Sequence, residues 1–507
     1  MSLSPTANDA PERVLSALKR YKGSLPAERL PLFREFATLA LDRIRGPFLA
    51  LHSSAETLGR LELAFTHAFQ RGGADVHVAL HPRGKRGVSA IGNMADQPFI
   101  VDSMRLFLAR AGAEYESGFN IVLPIERDDA GRIRSVGQGE HTESIVFLDA
   151  DGGDLRQDLD TATATLQGSL ELARVVVRDF RAMTRTCERW VEKLDDLVDG
   201  DPGLAVEARE TAAFLKWLLR DNFVFMGMEA TNRDAAGIQT VPGPHAGSPD
   251  GEWPKPHAPG TVQVRKSLVE SRVHRAGRID EIRIAMPGDA DNTLFIRGMF
   301  TYRAITQACR QVPILRGVLR DILTHQNAEP GSFRYKGISN VFDSLPTEFL
   351  FTADKSDIEN TVDLVFEAEQ RQEVGVSFLM TGPFSAFCLV AMPKSSYSED
   401  LRRELESYTL ARLGATYSDS GLYVGRFETV LAYFYLTGVR PPSEEGLAEL
   451  KSELRERATP WLARLWRALA ADSDEDTADR LTELYGRAFP EAWTGLTPIR
   501  LRYLWGM

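Results

Sequence analysis

One order of predicted elements occurs twice in this sequence, and that repetition constrains the fold more than any other feature. The first copy has a strand, a helix, two strands and a long helix at 87–92, 96–110, 119–125, 144–148 and 155–197. The second copy has the same elements at 386–392, 396–413, 421–425, 429–436 and 443–470. Because a small sheet must bury a face under helices, the repetition predicts two α+β sandwiches of the βαββαβ type.

The first helix of each copy has a recognisable start. Asp96 is well placed to cap the earlier helix, and Pro98 is tolerated in its first turn, where a missing N–H has no partner to lose. Ser396-Tyr-Ser-Glu399 fits a capping box for the later helix. Apolar residues recur on one face of each helix, at Ile100, Met104, Phe107, Leu108 and Ala111 and at Leu401, Leu405, Tyr408 and Ala411.

Further helical and mixed regions surround the two copies. Residues 10–48 and 57–72 show apolar residues at helical spacing, and Gly72-Gly73 suits a helix end. Residues 206–305 predict a mixed domain, with a loop rich in Gly, Pro and His at 243–260. Residues 311–372 predict mainly helices. A chain of 507 residues should therefore contain three or four domains.

Composition and charge exclude several classes of protein. Hydrophobic residues make up 43% and charged residues 26%, as in globular proteins. The net charge of −11 disfavours nucleic-acid binding, and we interpret the basic run at 81–86 as a solvated loop. No secretory signal and no apolar run of membrane-spanning length is visible. We therefore expect a cytoplasmic protein without a nucleic-acid or membrane partner.

No motif specifies catalysis or a metal site. Gly137-Gln-Gly139 lacks the third glycine of a dinucleotide-binding turn, and Gly84-Lys85 lacks the other residues of a phosphate-binding loop. We interpret His274 as a strand residue packed beside Arg272 rather than as a metal ligand. The three cysteines show neither zinc-ligand nor redox-pair spacing. We predict no catalytic, cofactor-binding or metal-binding residue.

Short segments of the sequence nevertheless resemble one enzyme family. Asp96-Gln-Pro-Phe-Ile-Val-Asp-Ser103 resembles the segment that opens the first helix of the first ACT domain in bacterial large NAD-specific glutamate dehydrogenases. The family pattern there is roughly Asp-Asp-Met-Pro-Phe-Leu-Val-Asp-Ser, so Ala95 replaces the first Asp and Gln97 the Met. Further similar segments follow in the family's order at 143–149, 207–227, 271–275, 340–351, 388–397 and 485–492.

The resemblance implies an α+β multidomain fold with six parts. These are an amino-terminal helical segment, a first ACT-like domain with a long helix, a PAS-like mixed domain, a helical connector, a second ACT-like domain and a helical motif. Their expected bounds are 1–85, 86–200, 206–310, 311–375, 376–440 and 441–507.

The resemblance also implies a sensing function. ACT domains typically pair their sheets edge to edge and hold an amino acid at the seam, and a helix start attracts a carboxylate through its unpaired N–H groups. The candidate effector-binding residues stand at the two helix starts, namely Asn93, Asp96, Gln97, Lys394 and Ser396. The alternative is that Asp96 and Ser396 only cap their helices, each stabilising by about 1 kcal/mol.

One departure from the family pattern limits what the resemblance implies. Family members are much longer, and the lysine-bearing, glycine-rich segment of their active sites is missing here, since neither Gly72-Gly73 nor Gly152-Gly153 precedes a lysine. We therefore expect NAD to be bound by the full-length family enzyme and not by this chain, which should be inactive alone. Its expected partners are a glutamate dehydrogenase catalytic region, in cis or in trans, and further copies of itself. A free-standing scaffold without sensing is the alternative.

Overall fold

We analysed a computed structural model, which describes residues 10–71, 76–231, 253–257, 260–425 and 428–486. The predicted helix end at Gly72-Gly73, most of the predicted loop at 243–260 and most of the segment at 485–492 lie outside these ranges. The described residues form two compact units. One comprises those up to 181 together with 269–278, and the other comprises the rest. Both units combine helices with sheets, which confirms the α+β class.

The first unit contains a five-stranded sheet between two layers of helices. Helices α1–α4 span Ala10–Leu18, Leu30–Leu41, Gly46–Leu51 and Ser54–Phe69. The elements β1, β2, α5, β3, β4, β5 and α6 span Val76–Arg83, Gly87–Ala95, Ile100–Arg110, Ala113–Arg127, Ile133–Val136, Thr142–Gly152 and Leu159–Gly200. The strand order is β1-β2-β5-β3-β4, and every pair is antiparallel.

This first sheet is buried on both faces because alternate side chains of a strand point in opposite directions. On one face Ile91, Ile145 and Phe147 belong to a core shared with α1–α4. On the other face Val146 and Leu148 belong to a second core, to which α5 and α6 contribute Met104, Leu108, Leu166 and Leu170. Full burial of an aliphatic side chain contributes roughly 1.5–3 kcal/mol, so the two cores hold the sheet firmly between the helices.

The start of α5 differs from the prediction. The helix begins at Ile100, and its capping position is occupied by Phe99 with φ 74° and not by Asp96. Asp96 instead extends the pairing of β2 with β5, because its N–H donates to the carbonyl of Thr142 at 3.0 Å. Pro98 therefore precedes the helix. The predicted apolar face is confirmed, since Met104 and Leu108 are fully buried.

The second unit begins with a four-stranded sheet followed by helices. The elements α7, β6, β7, β8 and β9 span Ala205–Trp217, Phe223–Ala230, Val262–Glu270, Arg278–Met286 and Asp289–Phe300, with strand order β6-β9-β8-β7. Helices α8–α12 span Tyr302–Thr306, Leu315–His325, Phe333–Ser344, Thr347–Thr352 and Lys355–Arg371. The interpretation of His274 as a strand residue is wrong, because it lies in the loop between β7 and β8 with φ 71°.

A third sheet of order β10-β11-β13-β12 completes the second unit. The elements β10, β11, α13, β12, β13 and α14–α16 span Gly375–Gly382, Ser385–Pro393, Glu399–Leu413, Tyr417–Val424, Thr429–Thr437, Glu444–Ala458, Trp461–Ala470 and Glu475–Tyr485. The capping-box prediction is wrong in detail, because α13 is capped by Ser398 and not by Ser396. The single helix predicted at 443–470 is divided at Pro460, whose ring cannot continue a helix.

Apart from the additional strand β4, the first and third sheets share one topology. In each, a strand pairs with the next strand, a helix follows, and the last strand inserts between the second strand and the one after the helix. In both copies the strand at the edge next to the second strand, β1 or β10, comes first in the chain. The βαββαβ prediction placed this additional strand last. The loop predicted at 81–86 is accordingly wrong for His81–Arg83, which belong to β1.

No helix within the described ranges is both long enough and apolar enough to cross a lipid bilayer.

Candidate functional site

The first candidate site is the junction between β2 and α5. Asp96 follows β2 directly, and its carboxylate accepts a hydrogen bond of 2.6 Å from Ser144 Oγ. No side chain caps α5, so the N–H groups of its first turn have no side-chain acceptor from a capping residue. The amide nitrogen Nε2 of Gln97 is buried and has no hydrogen-bond partner among the residues that the structure describes. This junction therefore offers unused donors beside a carboxylate.

The second candidate site is the junction between β11 and α13. Lys394 follows β11, its N–H donates to the carbonyl of Glu428 at 2.7 Å, and its Nζ lies 3.2 Å from the Glu428 carboxylate. Ser396 Oγ is a buried atom without a hydrogen-bond partner in the described part of the chain. Unlike α5, α13 is capped, because Ser398 Oγ accepts a hydrogen bond of 3.1 Å from the N–H of Leu401.

The two junctions are structurally equivalent. Ala95 pairs with Glu143 at the end of β2, and Pro393 pairs with Thr429 at the end of β11. In the first copy the next residue, Asp96, donates its N–H to Thr142 on the last strand, β5. In the second copy the next residue, Lys394, donates its N–H to Glu428, which directly precedes the last strand, β13. Equivalent positions thus carry opposite charges, and the charge of Lys394 is paired with Glu428.

Asn93 lies away from the helix start. It is on β2, two residues after Ile91, and so faces α1–α4. Its Nδ2 donates to Glu143 at 2.8 Å, and its Oδ1 accepts from Arg127 at 3.1 Å. The guanidinium of Arg127 also makes two bonds of 2.7 Å to Glu143. Asn93 therefore hydrogen-bonds to both members of a buried ion pair, and its part in effector binding stays a prediction.

This ion pair controls the ionisation of Glu143. Burial works to raise the pKa of Glu143, but hydrogen bonds from Arg127 and Asn93 and the charge of Arg127 outweigh it, so the pKa is lowered. The carboxylate is thus held charged inside the first unit, where both partners are needed to compensate its desolvation.

A cavity of 230 Å³ lies between α5 and α6 in the first unit. Its apolar lining comes from Leu106, Phe107 and Ala111 at the end of α5. Its polar lining comes from Arg110, Thr165, Ser169 and Arg272. Arg272 stands in the loop between β7 and β8, which belongs to this unit. Two guanidinium groups thus border a largely apolar space.

Comparison with known proteins gives two matching family models. The model described as "Glutamate dehydrogenase, ACT1 domain" matches residues 93–166, from the end of β2 to the first turns of α6. The model described as "Glutamate dehydrogenase, helical motif 1" matches residues 312–371, which contain α9–α12. The first match includes the junction at Asp96 and most of the cavity lining.

Curated relatives agree with these models. The NAD-specific glutamate dehydrogenase of Halomonas elongata is 27% identical over 435 residues, which cover 78% of this chain and 26% of the relative. That of Pseudomonas aeruginosa is 26% identical over 406 residues, covering 72% and 24%. That of Mycobacterium tuberculosis is 22% identical over 432 residues, covering 78% and 26%.

The chain is related to the amino-terminal region of large NAD-specific glutamate dehydrogenases. It spans about a quarter of the length of the curated glutamate dehydrogenases that it matches. The predicted resemblance is thereby confirmed, and residues 93–166 of the first unit match the ACT1 domain of the family. The third sheet repeats the core strand order of the first sheet.

Sequence reasoning missed the cavity of the ACT1 domain. Its two arginines are separated by 161 intervening residues, and only the fold brings Arg110 near Arg272. One signal was available. Ser271-Arg-Val-His-Arg275 resembles a segment of the glutamate dehydrogenase family, but no pattern in the sequence indicates that this segment returns to α5.

A buried ion cluster in the second unit was also missed. Lys266 Nζ lies 2.7 Å from both Asp280 and Glu348. Burial works to lower the pKa of Lys266, but the two carboxylates outweigh it and raise that pKa. Since each member has an oppositely charged partner, the cluster joins β7, β8 and α11 and needs no ligand to account for it.

Proposed function

We propose that this chain is a regulatory and assembly module for NAD-dependent glutamate dehydrogenation, and that it senses amino acids through its two ACT-like units. The reaction of the full enzyme would convert glutamate and NAD to 2-oxoglutarate, ammonia and NADH. The proposal rests on one observation, the equivalence of the two strand-to-helix junctions. Each carries a buried polar atom without a partner in the described residues, at Gln97 and at Ser396.

The chemistry of an amino acid suits these junctions. Its carboxylate would accept hydrogen bonds from the N–H groups at the start of α5 or from Lys394. Its ammonium group would interact with Asp96 or Glu428, which border the two junctions. The buried donor of Gln97 and hydroxyl of Ser396 would then gain the partners that they lack, which makes binding favourable.

Regulation would follow from unequal affinities. An amino acid that binds one conformation of the assembled enzyme more tightly than another shifts the population toward it. The catalytic region, in cis or in trans, would respond to that shift in the cytoplasm. We further propose that the sheet β6-β9-β8-β7 with α7 is the family's PAS-like domain.

Calorimetric titration of the purified chain with the common amino acids tests the sensing role. We expect at least one amino acid to bind, and Lys394→Met to weaken its binding at the second junction by about tenfold, the loss of one charge-assisted hydrogen bond. Lys336→Met on α10 is the matched control and should leave binding unchanged. If no amino acid binds the unaltered chain, the sensing role is wrong.

A scaffold without sensing is the second candidate, and β12 favours it. This edge strand exposes Leu422, Tyr423 and Val424, which suits pairing with another strand. A stable oligomer that gives no heat with any amino acid would support the scaffold over the sensor.

A further inference from the structure

We propose that the cavity between α5 and α6 binds a small carboxylate that carries an apolar or aromatic group. The cavity adjoins the carboxyl-terminal half of α5, whereas the junction at Asp96 lies before the amino-terminal end of that helix. This ligand site is therefore distinct from the junctions, and it does not depend on the regulatory role proposed above.

The two arginines of the cavity carry unused hydrogen-bond donors. Among the described residues, Arg272 donates only through Nη2, to the carbonyl of Thr165 at 3.1 Å and to Ser169 Oγ at 3.3 Å. It makes no ion pair with any residue that the structure describes. Within the same ranges, Arg110 also donates only through Nη2, to Glu270 at 2.7 Å. Because a guanidinium has five N–H groups, Nε and Nη1 of each arginine remain available to a ligand.

These donors favour a carboxylate over other groups. A planar guanidinium binds a carboxylate through two parallel hydrogen bonds, which are stronger than bonds between neutral groups. Glu270 neutralises part of the positive charge, since it pairs with Arg110. The remaining charge suits a singly charged anion better than a doubly charged phosphate.

The apolar lining residues determine which group besides the carboxylate the ligand can carry. Leu106, Phe107 and Ala111 supply the apolar part of the cavity lining. Its 230 Å³ is below the roughly 300–1,000 Å³ of sites for drug-sized ligands. An aryl or branched alkyl group of about six to eight non-hydrogen atoms with one carboxylate is therefore the expected size.

Gly168 supports the placement of Arg272. It lies inside α6, where a glycine weakens a helix. A Cβ at this position would stand 3.3 Å from Arg272 Nη2, closer than side chains normally approach. The glycine thus lets the guanidinium lie directly against the backbone of α6, at the mouth of the cavity.

The loop that carries Arg272 is also held at a second point. The N–H of His274 contacts Ser103 Oγ at 3.4 Å, and its ring packs edge-on against Phe99 at 5.2 Å. His274 has a φ of 71°, which a non-glycine residue adopts only when its surroundings hold it there. Arg272 is therefore positioned before a ligand arrives, which lowers the entropy lost on binding.

Calorimetric titration of the full chain with phenylacetate tests the proposal. We expect phenylacetate to bind and its neutral analogue phenylacetamide to bind at least about tenfold more weakly, because the amide cannot replace the charge. Arg272→Met should weaken phenylacetate binding by a similar factor, and Arg272→Lys by less. Ala111→Leu should abolish binding by filling the cavity without changing any charge.

Arg105→Met is the matched control, since Arg105 is on the same helix but lies over the ring of Tyr115 at 4.1 Å, outside the cavity lining. It should leave the affinity for phenylacetate unchanged. Equal affinities for phenylacetate and phenylacetamide, or no binding of either, would overturn the proposal. If Arg272→Met fails to fold, the analogue comparison and Ala111→Leu still decide. If Ala111→Leu still binds amino acids but no longer binds phenylacetate, the cavity and the junctions are separate binding sites.

Discussion

His67 and His77, both partly buried, stack on each other in the first unit. Their ring centroids are 4.0 Å apart with an interplanar angle of 17°, and His67 Nε2 lies 3.1 Å from the carbonyl of His77. A carbonyl only accepts, so Nε2 of His67 is the protonated nitrogen. Burial lowers the pKa of His67 to about 4; the hydrogen bond to the His77 carbonyl opposes this shift, and the charges of the His77 and His81 side chains add to it.

This lowered pKa predicts an acid-sensitive first unit. Above the unfolded pKa of about 6.5, His67 is neutral in both states and the full stability is present. As the pH falls toward 4, the unfolded state takes up a proton that the folded state resists, so up to about 3 kcal/mol of stability is lost. Urea unfolding of the wild type and of His67→Gln, which keeps a donor but cannot titrate, should show a shallower pH dependence for the variant.

The matched control for this prediction is His325→Gln. His325 is 74% exposed and pairs with Glu359 at the surface, so its replacement should leave the acid-induced loss intact. An unchanged pH dependence in His67→Gln would show that other groups destabilise the first unit in acid.

The ion pair of Arg127 and Glu143 carries the second prediction. Replacing Arg127 with Met leaves Glu143 charged and without its main partner inside the core, which should cost about 3–5 kcal/mol at neutral pH. The loss should shrink as the pH falls, because the unpaired Glu143 can then be protonated. Urea unfolding measures both effects.

Arg132→Met serves as the control for the ion pair. Arg132 is 55% exposed and pairs with Asp128, so its removal should cost less than about 1 kcal/mol. Equal losses in the two variants would contradict a special role for the buried pair.

At the start of α13, the serine that the sequence pattern predicted as the helix cap differs from the serine that caps the helix in the structure. Ser398 Oγ accepts a hydrogen bond from Leu401, whereas Ser396 Oγ has no partner among the described side chains and backbone. We expect Ser398→Ala to destabilise the third sheet unit by about 1 kcal/mol, and Ser396→Ala to change stability by only a few tenths. Thermal unfolding of both variants measures the difference, and the reverse order would restore the predicted capping box.

Helix existence was predictable here, but helix starts were not. The apolar faces of α5 and α13 follow from spacing alone, and both helices are present. Asp96 looked like a cap because capping residues and strand-ending residues share short polar side chains. Its partner, Ser144, is 48 positions away. A local pattern carries no information about such a contact.

The outer strands show the same limit for sheets. Val76, Val78 and Leu80 alternate toward the core, which is the pattern of a strand, but the adjacent basic residues suggested a loop. Of the candidate site, the junction residues Asp96, Gln97, Lys394 and Ser396 were selected because they stand near a predicted helix start, and their part in effector binding stays a prediction. The cavity was not, because its lining depends on a loop that returns from the second sheet.

For the whole molecule, the first and third sheets repeat one core strand order but differ in the side chains at their junctions and edges. Asp96 and Lys394 stand at equivalent positions, so the proposed sensing role predicts that a single effector binds the junctions of the two sheets unequally. Their free edges differ as well. Gln167 donates a side-chain hydrogen bond of 2.9 Å to Val76 at the start of the edge strand β1. By contrast, β12 presents exposed apolar side chains along its edge.

Association through β12 is the prediction that follows for the assembled molecule. Two copies related by a twofold axis would pair their β12 strands and continue the sheet across the interface, which covers the exposed apolar side chains of that strand. The solution mass should then be a multiple of 56.4 kDa, as measured by light scattering on a sizing column.

Val424→Lys should shift the mass toward one copy, because Val424 is 54% exposed on this edge and a buried ammonium disfavours pairing. Leu51→Lys changes a residue that is 69% exposed on α3 and should leave the mass unchanged. An oligomer that persists in Val424→Lys would place the interface elsewhere.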